Sequence, residues 1–232
     1  MLNLFLYPSA VYFAGTILSV ALGFFHKSFL VKHLEFSYLG VYSLGMSVIS
    51  MVVIFTTLGF SDGLIFFIPK YLSEKKYHRL HVYLKTTFLF NILLITSFSF
   101  IVLSIPDFIL NKFLSTQSLK PFSFYFIWIL IIKSFVAIFI KIINGFQKVH
   151  KSVLIEKFIC NPLKVLLTMI LINTGFSFYG VLAAEIFALA LAFILFAKIV
   201  KNQLKVLNIP SLYEYRINAV NSIEKSYSKS ML

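Results

Sequence analysis

Long apolar blocks separated by short charged stretches run along almost the whole chain. A helix needs roughly 20 apolar residues to cross about 30 Å of hydrocarbon. Six blocks meet that length: Phe5 to Phe25, Tyr38 to Ile68, Leu80 to Ser104, Phe122 to Ile143, Val153 to Asn173 and Phe178 to Lys198. Runs such as Phe124 to Ile132 do not alternate between lipid-facing and lumen-facing residues, so helices and not barrel strands are the spanning elements. The second block is long enough to tilt or bend; its Ser61-Asp62-Gly63 loosens the helix and Pro69 is expected to stop it. Beyond Lys198 the sequence turns polar, contains Pro210 and offers no further apolar run. The pattern therefore predicts an all-α, polytopic bundle of six transmembrane helices over residues 1–198 and a polar tail over 199–232 outside the bilayer.

Composition agrees with the pattern. The chain is 59% hydrophobic, 18% aromatic and only 12% charged, with a mean hydropathy of +0.92, well outside the usage of soluble domains. The first block is read as a retained span, because no Lys or Arg precedes Lys27 and no small-residue cleavage pattern closes it. Cys160 is the single cysteine, which excludes a disulfide framework within the chain and leaves the redox compartment open.

Charge adds orientation. Positively charged loops resist translocation, and thirteen Lys and Arg fall on one side: Lys70, Lys75, Lys76 and Arg79; Lys148, Lys151 and Lys157; and Lys198, Lys201, Lys205, Arg216, Lys225 and Lys229. Only Lys27, Lys32, Lys112 and Lys120 fall on the other. Both termini are therefore expected in the cytoplasm, although Lys27 and Lys32 just after the first span pull locally the other way. The net charge of +13 is spread over short loops and a tail, which fits anionic headgroups and membrane lipids and does not describe a folded nucleic-acid face.

Four lysines remain inside the blocks. Lys85 and Lys141 are close enough to an interface for their stems to carry the ammonium to the headgroups. Lys133 and Lys164 lie roughly 11 residues inside their blocks, where insertion costs about 3 kcal/mol each. They are expected to face water or an anion, with a structural pairing of Lys133 to Glu185 as the competing account. Lys157, Asn161, Lys164 and Thr168 follow a 4, 3, 4 spacing that lines one face of the fifth helix, and Pro162 beside them predicts a kink. Hydroxyl stripes recur at Tyr12, Thr16, Ser19 and Gly23 and at Ser43, Ser47, Ser50, Thr57 and Ser61, where cavity lining and helix packing both remain open. Gly180, Ala184, Ala188 and Ala192 form a small-residue ridge for close helix contact. Asp62 is a candidate for ion pairing with Lys70 or another basic group, or for ion coupling.

Catalytic signatures are missing: there is no phosphate-binding loop, no H-E-x-x-H and no G-x-S-x-G. No catalytic residue, cofactor or metal is expected; His78 and His81 lack a third ligand in the sequence pattern. Any transport would be driven by a gradient or be passive.

Several fragments, in order, resemble the polysaccharide-transporter branch of the multidrug/oligosaccharidyl-lipid/polysaccharide flippases, which includes O-antigen repeat-unit flippases. Leu39-Gly40-Val41-Tyr42 is similar to the family's start of the second helix, and Leu58-Gly59-Phe60-Ser61-Asp62-Gly63-Leu64 with Phe67-Ile68-Pro69-Lys70-Tyr71-Leu72 to its exit. Asn144-Gly145-Phe146-Gln147-Lys148 resembles the loop after helix four, and Gly175 with Gly180-Val181-Leu182-Ala183-Ala184 the start of helix six. The resemblance implies a flippase that moves a polyprenyl-pyrophosphate-linked oligosaccharide across the cytoplasmic membrane through a polar cavity between two six-helix lobes. It implies that this chain supplies the amino-terminal lobe, to be completed by a second lobe or a homodimer, or that it is a truncated remnant. A non-transporting scaffold of envelope-polysaccharide assembly, packing through the Gly180 to Ala192 ridge, is the alternative. A membrane-embedded transferase is disfavoured because its acidic residues are scattered. Lys164 and Lys133, with Asn161 and Lys157, are the anion-contact candidates, and Glu185 and Asp62 the candidates for pairing or coupling.

Overall fold

A computed structural model describes residues 2–57, 60–104 and 122–206, all but a few of which are helical. The elements are α1 (Leu2–His33), α2 (Phe36–Thr57), α3 (Phe60–Ser73), α4 (Tyr77–Ser104), α5 (Ser123–Gly145), α6 (149–176) and α7 (Ser177–Val206). No strand forms among the described residues. Leu58 and Gly59, the loop lysines Lys112 and Lys120, and the tail from residue 207 onward lie outside them.

Five continuous stretches are long and apolar enough to cross a membrane: Ser9–His33, Phe36–Ser73, Tyr77–Ile101, Ser123–Gly145 and Val149–Lys205. The last has 57 residues and would reach about 85 Å as a straight helix. It instead reverses where Gly175 takes φ 91° and Ser177 φ 43°, and α6 and α7 pack against each other. The described residues thus make six crossings, in the order that hydropathy predicts. This is a multi-pass, all-α membrane protein.

One proline expectation needs revision. Pro69 lies inside α3, which continues to Ser73; a helix within a membrane protein tolerates the lost donor because its neighbours can satisfy the freed carbonyl. Pro162 widens its helix. Residues Leu154–Cys160 form a π segment, and the Asn161 N–H reaches the carbonyl of Glu156, five residues back. Pro162 cannot donate to the carbonyl four residues before it, so the ladder shifts register just upstream.

The tight hairpins at one end of the bundle share a design. Lys75 at φ 54° and Gln147 at φ 58° each take the left-handed conformation. Around them Lys75 N–H bonds Leu72 O and Lys76 N–H bonds Tyr71 O, while Gln147 N–H bonds Asn144 O and Lys148 N–H bonds Ile143 O. Each is a Schellman closure that satisfies the last carbonyls of the preceding helix without glycine. These hairpins and the far end of α7, with Lys198, Lys201 and Lys205, form a basic end.

Packing centres on α5, which touches α2, α3, α4 and α7. At the basic end the apolar core gathers Leu64, Ile68, Leu80, Ile138, Ile142, Ile143 and Phe196. A second cluster at the opposite end gathers Leu30, Val41, Ile49, Phe122, Ile129, Phe178 and Leu182. Between the two lie buried polar side chains, among them His26, Thr56, Asn91, Ser134, Thr168 and Glu185. Desolvated polar groups are costly unless paired, so this mid-depth layer is the feature that the fold must explain. Helix α1 touches α2 only slightly and leans mainly on α6. A β-carbon on Gly15 would come within 2.9 Å of Val153 and 3.1 Å of Lys157 and Phe158, so glycine is what lets α1 approach α6.

Candidate functional site

Charged and polar groups from five helices meet at the middle of the bundle. Glu185, on α7 beside the small residue Ala184, is 4% exposed. Its Oε2 lies 3.5 Å from Lys164 Nζ on α6 and accepts a hydrogen bond of 3.2 Å from the Tyr42 hydroxyl on α2. The His26 ring on α1 meets Tyr42 edge-on, with centroids 6.4 Å apart. Its Nε2 sits 3.3 Å from Thr168 Oγ1. The Thr168 hydroxyl already donates to the Lys164 carbonyl at 2.8 Å, which leaves His26 Nε2–H as the donor to Thr168.

Lys133 is differently placed. It lies on α5, twelve residues from Gly145 and so about 18 Å along the helix. Its ammonium donates to Ser50 Oγ at 3.2 Å, while Ser50 donates to Met46 O at 2.8 Å. No carboxylate pairs with Lys133 among the described residues. Glu185, Lys164 and Glu156 are near enough to act on its charge. The alternative pairing weighed from sequence, Lys133 with Glu185, is therefore not the one formed: depth alone cannot say which way two helices are rotated, and Glu185 turns to Lys164.

Toward the basic end the predicted face of α6 meets the predicted stripe of α1. Lys157 Nζ donates to Thr16 Oγ1 at 2.7 Å and lies 4.3 Å from the centre of the Tyr12 ring. Asn161 Nδ2 donates to Ser19 Oγ at 3.1 Å. These two polar side chains fasten α1 to α6. Lys157, counted above with a loop, stands within α6, eight residues past its start at Val149. The α2 stripe behaves otherwise: Ser43, Ser47 and Ser50 are exposed, and Ser47 and Ser50 bond carbonyls of their own helix at 2.8 Å. Asp62 pairs with Lys141 at 2.6 Å, not with Lys70, and both side chains are substantially exposed, 54% and 33%. This pair lies nearer the basic end and away from the central cluster. The Gly180 to Ala192 ridge is covered, with Ala184, Ala188 and Ala192 buried inside the bundle.

Three contributors escaped sequence reasoning. Tyr42 was visible only as the last residue of the Leu39 to Tyr42 fragment, and His26 only as a lone polar residue at the end of an apolar block. Glu156, in the π segment beside Lys157, was masked by that neighbour.

A family model, MatE, matches residues 13–170. That covers more than half of the 232 residues and takes in His26, Tyr42, Ser50, Lys133 and Lys164. The chain belongs to the MatE family. It is thus a membrane transporter of the multidrug/oligosaccharidyl-lipid/polysaccharide flippase superfamily. Curated proteins and solved structures give no match. In this MatE protein, the central cluster offers one carboxylate-bound ammonium and one whose partner among the described residues is a hydroxyl, both at mid-depth. Such a pair can receive the oxygens of an anion.

Proposed function

We propose that this MatE protein is a lipid-linked oligosaccharide flippase, or one six-helix lobe of it, that moves a polyprenyl-pyrophosphate-linked glycan across the cytoplasmic membrane. It acts as a carrier and not as an enzyme. The observation that carries this reading is Lys133: an ammonium about 18 Å along its helix, supported by one serine hydroxyl and paired with no carboxylate among the described residues. A lysine costs about 3 kcal/mol at mid-bilayer, and a pyrophosphate in transit would offset that cost with charge-assisted hydrogen bonds. With the basic end and both termini in the cytoplasm, a cell negative inside favours outward passage of the headgroup by about 2.3 kcal/mol per charge per 100 mV.

Membrane passage of a glycan headgroup needs alternating access, for which superfamily members use two lobes. A second copy or a second six-helix chain would supply the other. The scaffold alternative loses its proposed contact surface, because the small-residue ridge is already used within the bundle. The test is export of surface glycan in cells that lack their own flippase. The chain is expressed singly and as a tandem fusion, which is compatible with both termini on one side. Restored export by either form, and its loss on Lys133→Met with membrane insertion retained, is expected. Failure of both unmutated forms, each shown to be inserted, contradicts the proposal.

A further inference from the structure

Glu185 occupies the position on Lys164 that an incoming anion would take. We infer that Glu185 is a built-in competitor: it neutralises Lys164 while the site is empty, and the transported anion binds by bridging Lys133 and Lys164 and displacing the carboxylate. This rests on the flippase reading above and adds the regulation of its site. Three observations support it. The Lys164–Glu185 separation of 3.5 Å exceeds the 2.7–2.9 Å of a tight charge-assisted bond, so the pair is loosely made. The carboxylate has a second anchor, the Tyr42 hydroxyl on the same oxygen, and is not left without a hydrogen bond when Lys164 departs. Exposure is asymmetric as well: the Lys164 side chain is 26% exposed and that of Glu185 6%, so a newcomer reaches the lysine first.

Lys133 provides the second contact, because its partner is a neutral hydroxyl, Ser50, on α2, the same helix whose Tyr42 holds Glu185. A diphosphate has enough oxygens to accept from both ammoniums at once. A carboxylate held on α7 by Tyr42 engages only Lys164. Glu156 and Lys157, nearer the basic end, add opposite charges, and His26 is turned to Thr168. The competitor therefore sets a threshold, which an anion must exceed by using both lysines.

The test is equilibrium binding of geranyl diphosphate to the full chain in lipid nanodiscs, with geraniol as the control for tail partitioning. Glu185→Gln is expected to tighten binding about tenfold, and the gain should vanish when Lys164→Met is added. Tyr42→Phe keeps both charges and removes only the anchoring hydroxyl; the displaced carboxylate then has no hydrogen bond to fall back on, so binding is expected to weaken about two- to threefold, and the variant serves where Glu185→Gln does not fold. Unchanged or weaker binding in folded Glu185→Gln, or unchanged or tighter binding in folded Tyr42→Phe, overturns the competitor. Lys133→Met tests the underlying reading separately: loss of binding supports an anion site, whereas wild-type affinity in that variant removes the site and the competitor with it.

Discussion

Removing one partner of the Lys164–Glu185 pair should cost more stability than removing both charges. Breaking a buried pair typically costs about 3–5 kcal/mol because the survivor is left as an uncompensated charge. Two features of this pair lower that figure: Lys164 keeps a 26% exposed side chain at 3.5 Å, and Tyr42 still bonds the carboxylate after the lysine is gone. Lys164→Met is therefore expected to destabilise by about 2–3 kcal/mol. Glu185→Gln should cost less, about 1–2 kcal/mol, since the side chain of Lys164 is the more exposed of the two and is less fully desolvated than the carboxylate. The double variant Lys164→Met/Glu185→Gln should return to within about 1 kcal/mol of wild type, which is a strong positive coupling. Reversible unfolding in mixed micelles, followed by tryptophan fluorescence and circular dichroism, measures all four corners of the cycle. Additive losses, with the double variant as unstable as the two singles summed, would refute the pairing. The cycle also governs how export assays are read, because a loss of export by Lys164→Met alone would mix a missing anion contact with a weakened bundle.

Other expectations are more local. Gly15→Leu should push α1 away from Val153, Lys157 and Phe158, at about 1–3 kcal/mol; cysteine cross-linking between α1 and α6 would show reduced contact. Gln147→Gly, at φ 58°, should stabilise by about 0.5–1 kcal/mol by relieving the left-handed conformation, and a lower melting temperature would count against the hairpin geometry. Asp62→Asn should change stability by less than about 1 kcal/mol, because its ion pair with Lys141 is substantially exposed; a larger drop in the unfolding assay would mean that the pair clamps α3 to α5.

The apolar blocks and the i, i+4 stripes were legible because each belongs to a single helix and needs no knowledge of its neighbours. That sufficed for the six crossings and for the face of α6 carrying Lys157, Asn161, Lys164 and Thr168. The partners of those residues were not legible. Glu185 is close to Lys133 when depth alone is compared, but the choice between Lys133 and Lys164 depends on helix rotation and on the register shift through Leu154–Cys160. Sequence also underestimated helix length. Helix α7 runs to Val206, so Lys198, Lys201 and Lys205 ride on its last turns, and α6 begins at Val149, which draws Lys157 into the bundle. Such extensions are polar and carry no hydropathy signal, yet intrahelical hydrogen bonds continue through them.

The central claim is that a lipid-linked glycan passes Lys133, and it can be tested without waiting for complete transport. A photoreactive amino acid at Ser50, the exposed hydroxyl bonded to Lys133, is irradiated in living cells that synthesise surface glycan. The account predicts a covalent adduct bearing glycan and prenyl lipid, which disappears with Lys133→Met and when assembly of the lipid-linked glycan is blocked. No adduct at position 50 in glycan-producing cells, or one that persists unchanged with Lys133→Met, would contradict it.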